Sequence, residues 1–425
     1  MVVGLVTVLS AARLIGYGWV GSRYAGPRHR FTYPGLGWVP RPSVELTTAL
    51  VLLVGLAGLL VAFGWRYRLA MAVLVAGFTW LEALDATTYL NHYWFLTLLG
   101  GLLVLLPADA ALSLPARRDG PRPVPLAAVW LVRYQVAVVV YAFAALAKAH
   151  GDWLVHGLPL RLWLPARADR APLAAGLLTE PWAGRALSVA GFAFDALVVA
   201  LLLWRRSRPW AFLAVVLFHL VTWRLFAIGV FPWLMIGAAT VFFDPSWPRR
   251  ARHLWPGRRS MGRWRAGGGA QAAVGSAAAR PAAVAAVGLW AAAQLAPPLR
   301  HWLYPGDARW TGEGYRLAWN VLAVEKSGTV MFRPRDPGAG TSWRDDARSL
   351  YTPEQWRVMA TEPDLIHQAA LELARQARGD GHGAVEVRVD AFVSFNGRAL
   401  ALQSRWEGGL AAVGPAPDVR ARGGG

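Results

Sequence analysis

The chain has 425 residues, 55% of them hydrophobic and only 16% charged, with a mean hydropathy of +0.33. Its apolar residues fall in long runs, with many of the 23 tryptophans at their ends, which is a membrane composition with an aromatic belt and excludes a string of soluble domains. The net charge of +19 sits in short arginine loops between those runs, the pattern of topological signals rather than of a nucleic-acid surface, and the absence of cysteine excludes disulfides, thiolate metal sites and a Cys nucleophile.

In chain order the predicted spans cover about 2–20, 44–63, 69–86, 94–107, 126–147, 188–204, 210–226, 228–243 and 281–297. The expected fold is a polytopic α-helical membrane protein of about eight or nine spans with a C-terminal extramembrane α+β domain. Met1 to Val20 has no basic n-region and no small-residue cleavage site, so it reads as a first span, or a tilted helix, carrying Arg13 rather than as a signal peptide. The segments 210–226 and 228–243 read either as two spans or as one span with a re-entrant piece.

Arginines follow the second span (Arg66, Arg68), the fourth (Arg117, Arg118, Arg122), the sixth (Arg205, Arg206, Arg208) and the eighth (from Arg249 to Arg265). With nine spans these loops share one side, which the positive-inside rule makes cytoplasmic, and the C-terminal domain is then extracytoplasmic. Arg23, Arg28, Arg30 and Arg41 break the pattern in the first outer loop; they serve a site, or the first span does not cross. The domain reading is a helical membrane domain at 1–250, a Gly-, Ala- and Arg-rich flexible cytoplasmic linker at 251–280, a last span at 281–299 and an extracytoplasmic domain at 300–425. Residues 152–187 form a long proline-broken connection at the outer interface.

Within the C-terminal domain, Thr352-Pro353-Glu354-Gln355 is a capping-box helix start, and the helix is expected to run through about Arg378. AVEVRVDAFVSF then alternates as a half-buried strand, and Asn396-Gly397 signals a hairpin turn.

Three places can carry chemistry. Lys148 ends the apolar run VVVYAFAALAK; it is a lysine snorkelling from a helix end or, because burial disfavours an ammonium, a base. Asn91-His92 lies in LDATTYLNHYWF beside Asp85 and Thr87, a polar cluster between two apolar runs. His219, with Arg224 nearby, and Asp195 are ionisable groups inside apolar segments, either satisfied helix-to-helix hydrogen bonds or lining of a cavity. No HExxH, P-loop, dinucleotide fingerprint or metal-ligand cluster is present in the sequence, so no metal is expected.

At these residues the chain resembles the vitamin K-dependent gamma-carboxylases and their bacterial relatives, the HTTM (horizontally transferred transmembrane domain) proteins. The resemblance is carried in collinear order by RFTYPGLGWVPRP at 30–42, LDATTYLNHYWF at 84–95, RYQVAVVVYAFAALAKAHGDWLVHGLPL at 133–160 and FHLVTWRLFAIGVFPWLMIGAATVFFDPSWPRR at 218–250. It continues through GEGYRLAW at 312–319, YTPEQWRVMATEPDLI at 351–366 and FVSFNGR at 392–398.

The resemblance implies an enzyme that oxygenates vitamin K hydroquinone (or menaquinol) with O2 to its epoxide, uses the base so generated to remove a glutamate γ-proton, and adds CO2 to the carbanion. It implies Lys148 as the initiating base, Asn91 and His92 as positioning or stabilising groups, and His219, Trp153, Arg224 and Phe231 as contacts of the quinone or substrate. The partners implied are the lipid bilayer, a reduced quinone and a glutamate-containing peptide or protein, in a multi-pass cell-membrane protein. After Arg398 the chain reads ALALQSRWEGG where the family has an Asp-Pro and acidic continuation, which leaves two other readings open: a quinol epoxidase that does not carboxylate, and a quinone- or lipid-binding membrane protein of the same fold. A transporter ranks low, for want of inverted repeats and paired broken helices.

Overall fold

The computed structural model describes residues 1–244, 247 and 281–406; the expected linker at 251–280 and the tract after Trp406 lie outside the described residues. Among them a helix stands at each of the nine predicted spans: α1 Val2–Gly16, α2 Val44–Phe63, α3 Tyr67–Ala83, α4 Asn91–Leu105, α5 Leu126–Lys148, α6 Ala183–Leu203, α7 Arg208–Leu225, α8 Phe231–Ala239 and α9 Pro281–Leu299. By length and composition α2, α5 and α6 are long and apolar enough to cross a membrane; α1, α4 and the stretch beginning with α8 are shorter apolar helices. α7 and α8 are separate helices, so the segment 210–243 is not one continuous rod.

Local chemistry places the ends. Ser43 caps α2, its hydroxyl accepting from the Leu46 N–H at 3.2 Å, and Gly64 closes the helix at φ +70°. α1 and α2 cross at Gly4 and Gly58, where a Cβ on Gly4 would lie 2.3 Å from the Gly58 carbonyl oxygen and 2.6 Å from the Ala62 nitrogen. Small residues let helix backbones approach this closely. Gly4→Val is therefore expected to cost about 1–3 kcal/mol by overpacking. It should lower the thermal midpoint in detergent, whereas Gly101→Ala, whose Cβ would meet nothing within 4 Å, should not.

α5 is interrupted by a π-helical turn at Ala137–Ala142. Such turns insert one extra residue and shift the register of the helix beyond them, and they recur at functional sites.

The C-terminal region is an antiparallel sheet in the order β2-β1-β3-β4, with β1 Lys326–Asp336, β2 Thr341–Ser342, β3 Glu386–Phe395 and β4 Ala401–Trp406, packed against α10 Pro353–Met359 and α11 Pro363–Gly379. β3 alternates as its sequence predicts, burying Val387, Val389, Ala391 and Val393. The capping box is formed in both directions, Thr352 to the Gln355 N–H and Gln355 back to the Thr352 N–H. The expected single helix through Arg378 is two: Pro363 has no N–H to give and holds Glu362 in an extended conformation, which ends α10 and starts α11.

The core of this region is completed from the other end of the chain. Fully buried Phe31 and Ala86 join Phe332, Met359, Leu365, Ile366 and Val389 in one apolar cluster. Backbone and side-chain bonds reinforce the joint: Gln368 bonds both the N–H and the carbonyl of Thr32, and Gln355 Nε2 donates to the His29 carbonyl at 2.9 Å. Three of the four loop arginines that broke the charge pattern also find a use here. Arg30 donates to the Val39 carbonyl at 2.7 Å, Arg41 donates to the carbonyls of Ala25, Pro27 and Arg28, and the Arg23 guanidinium lies 3.8 Å from the Trp19 ring centroid. They fold the first loop, a third role beside the two the sequence left open.

Candidate active site

Lys148 is the last residue of α5 and turns inward. It is 7% exposed; its Nζ donates to Asp195 Oδ2 at 2.9 Å and to the Ala144 carbonyl at 3.2 Å. Asp195, on α6, is 6% exposed. A lysine reaching for the interface would be exposed and unpaired, so the snorkelling reading is corrected by this geometry. The indole of Trp153 lies 5.5 Å from the ammonium and is itself pinned by its Nε1–H to the Ser188 carbonyl at 2.7 Å.

A second pair adjoins the first. Tyr141 precedes Lys148 by two turns on α5, and its hydroxyl lies 3.4 Å from His219 Nε2 on α7. Phe194, next to Asp195, stacks on Phe218 at 4.0 Å and meets Tyr141 edge-on at 5.8 Å. Among the described residues no hydrogen bond reaches the buried His219 Nδ1, a polar atom that a bound molecule can satisfy. Phe231, at the start of α8, stands between the two imidazoles, 6.0 Å from His219 and 5.4 Å from His92. His92 lines a small crevice with Ser10, Phe78, Tyr93 and Leu234.

Thus the structure gathers Asp195 and Trp153 around Lys148, and sets His219, Phe231 and His92 in a row that begins at Tyr141. Among the described residues no hydrogen bond or ion pair joins Lys148 directly to Asn91 or His92. Asn91 faces another way: its Oδ1 accepts from the Tyr89 hydroxyl at 2.9 Å, and that hydroxyl accepts from the Leu317 N–H at 2.8 Å. Asp85 is held by Thr87 and by Gln355 Nε2 at 2.8 Å. Much of the polar density at 85–91 therefore joins the helices to the C-terminal region. Arg224 is exposed in the last turn of α7 and is not brought to this cluster.

Sequence reading passed over two residues. Tyr141 had a signal, a polar group seven residues before Lys148 and so on the same helix face. Trp319 had only its place at the end of GEGYRLAW: it enters the helix bundle from the C-terminal half, 1% exposed and 6.0 Å from Phe95, on a segment where Leu317, Trp319 and Leu322 all have positive φ. Three such residues in six store backbone strain, which collects where function requires a fixed shape.

Beyond Lys148 the chain turns at once toward the C-terminal region. Asp152 takes Arg398 bidentately, at 2.6 and 2.9 Å, and Asn396 Nδ2 at 2.8 Å. The Arg398 bond, then that from Asn396, holds the Asp152 carboxyl down at about 2 against the opposing effect of burial. A depressed carboxyl contributes stability above its unfolded value of 3.8 and loses it as pH falls through about 2. Protease resistance of the 149–160 segment should therefore hold at neutral pH and weaken between about pH 4 and 2; Asp152→Asn should remove that part of the pH dependence.

Two family models match the chain: HTTM domain over residues 1–247, and vitamin K-dependent gamma-carboxylase, lumenal domain, over residues 279–403. No solved structure matches it. The class is a membrane-integral HTTM protein carrying a lumenal-type domain. The chain belongs to the vitamin K-dependent gamma-carboxylase family, and the paired domains support a carboxylase-like enzyme, as the resemblance implied.

Proposed function

We propose that the chain is a vitamin K-type hydroquinone oxygenase that couples epoxide formation to carboxylation of a glutamate side chain. The observation that carries this reading is the buried Lys148–Asp195 pair beside Trp153, in a chain of this family. Lys148 takes the hydroquinone O–H proton as the amine, in the form of the pair in which Asp195 holds the shared proton. The hydroquinone anion so formed would react with O2 at a ring carbon; one oxygen atom ends in the 2,3-epoxide, the other serves as the strong base that takes the substrate γ-proton and leaves as water, and CO2 adds to the carbanion. His92 and Asn91 position reacting groups, while Trp153, His219 and Phe231 contact the ring system.

Enclosure supports the same reading. A glutamate γ-C–H is a very weak acid, so water must be kept from the base that attacks it, and the cluster is walled by Phe194, Phe218, Phe231 and Trp153.

The proposal places residues 1–250 in the membrane, crosses it nine times counting 281–299, and puts the arginine loops and the 251–280 linker in the cytoplasm and residues 300–425 outside. Its support is that residues 29–32, 85–89 and 152, from three connections expected on the outer side, all contact the C-terminal region. The decisive assay adds reduced vitamin K or menaquinol to purified protein under air and follows the 2,3-epoxide by chromatography. Lys148-dependent epoxide is the expected result, with labelled CO2 then reporting the acceptor; folded protein that forms no epoxide from either quinol overturns the reading.

A further inference from the structure

The Asn396-Gly397-Arg398 hairpin reaches out of the sheet to the segment that carries the base. Asn396 is fixed on its own side, its Oδ1 accepting from the Glu325 N–H and its N–H donating to the Glu325 carbonyl, both at 2.9 Å. It is 2% exposed and sits at φ +50°, followed by Gly397 at φ +74°. Position 397 favours glycine for that φ, and a Cβ there would press on the end of the Leu162 side chain, 2.9 Å from Cδ1 on the far side of the joint.

On the other side, Asp152 is four residues beyond Lys148. Its backbone carbonyl accepts from Leu158 N–H at 2.8 Å, and the turn before it is closed by His150 Nδ1 accepting from the Trp153 N–H at 3.4 Å. Trp153, the next residue, is the one whose ring lies 5.5 Å from Lys148 Nζ. An ordinary exposed ion pair contributes little, and Arg398 is half exposed. This one differs in being bidentate and in sharing its carboxylate with a buried, backbone-anchored asparagine, so the carboxylate has a single place to sit.

We propose that Arg398 and Asn396 are positioning residues for the base: by fixing Asp152 they hold the turn at 149–154, and with it Trp153, against Lys148. The proposal rests on Lys148 being the base. It makes the C-terminal region a part of the catalytic apparatus rather than a cover for it. Breaking the joint loosens the turn that carries the indole, which the Ser188 bond alone then holds near Lys148, and turnover falls although neither Arg398 nor Asn396 touches the quinol.

The test uses the full chain in nanodiscs and two readouts. Arg398→Ala is expected to raise amide exchange across 149–156 and to lower kcat for epoxide about tenfold, a larger effect than on KM for the quinol, whose ring Trp153 also contacts. Arg398→Lys, which returns a cation to Asp152, should recover most of both. Gly397→Val, acting at the same joint through Leu162, should reproduce the Arg398→Ala pattern. Unchanged exchange in folded Arg398→Ala overturns the proposal, as does a rise in KM with kcat preserved. If wild-type protein forms no epoxide while exchange responds as stated, the base reading fails and the joint itself stands.

Discussion

Replacing Lys148 with alanine is expected to lower epoxide formation by a factor of about 10²–10⁴, the usual worth of a positioned general base. The variant should also lose stability. Asp195 is 6% exposed and, among the described residues, its carboxylate is held by Lys148 at 2.9 Å, so truncation strands a buried charge. Stranding one half of a buried pair costs about 3–5 kcal/mol, whereas exchanging both halves for apolar groups of similar volume is near neutral. Lys148→Met with Asp195→Leu should therefore recover the thermal midpoint while remaining inactive. That contrast separates chemistry from folding. Wild-type turnover in either variant would show that the base is elsewhere.

Phe31→Ala is the substitution expected to cost most among those remote from the reaction. The ring is 0% exposed, stacks on Tyr351 at 5.2 Å and fills a core built mainly from the C-terminal region. Removing a buried phenylalanine costs about 3–5 kcal/mol. Because the ring belongs to the first loop and the core to the C-terminal region, the loss should appear as separation of the two. Limited proteolysis should cut the 27–42 loop faster, with α2 and α3 unaffected. Unchanged proteolysis would mean that the Gln368–Thr32 and Gln355–His29 bonds hold the joint without the ring.

What could be read from the sequence was whatever a short window specifies. The apolar runs became helices near their expected bounds because the number of consecutive apolar residues sets where a helix can be buried in lipid. β3 and the Asn396-Gly397 turn came from alternation and from the φ > 0 that the pair tolerates. The capping box at Thr352 formed as written, and only the second proline signal, Pro363, was passed over. The family was legible in seven segments in collinear order, each weak by itself.

The site was half legible for the same reason. Lys148, His92 and His219 stood out as ionisable groups in apolar surroundings, but nothing nearby says what they meet. Asp195 is 47 residues from Lys148, and His219 is 78 from Tyr141. Periodicity fixes which face of a helix is polar. It does not fix which neighbour that face is turned toward, since crossing angle and rotation depend on every side chain at the contact. Arg224 shows the converse: it lies close to His219 in sequence but is left at an exposed helix end. The sequence by itself thus determined the helices, the strands, the turn and the family. The tertiary structure alone decided that Lys148 is paired, that Phe231 separates two histidines, that three of the loop arginines fold their own loop, and that Asp152 is held by a hairpin 244 residues away. Each of these depends on surfaces distant in the chain closing on one another, and no local pattern encodes that closure.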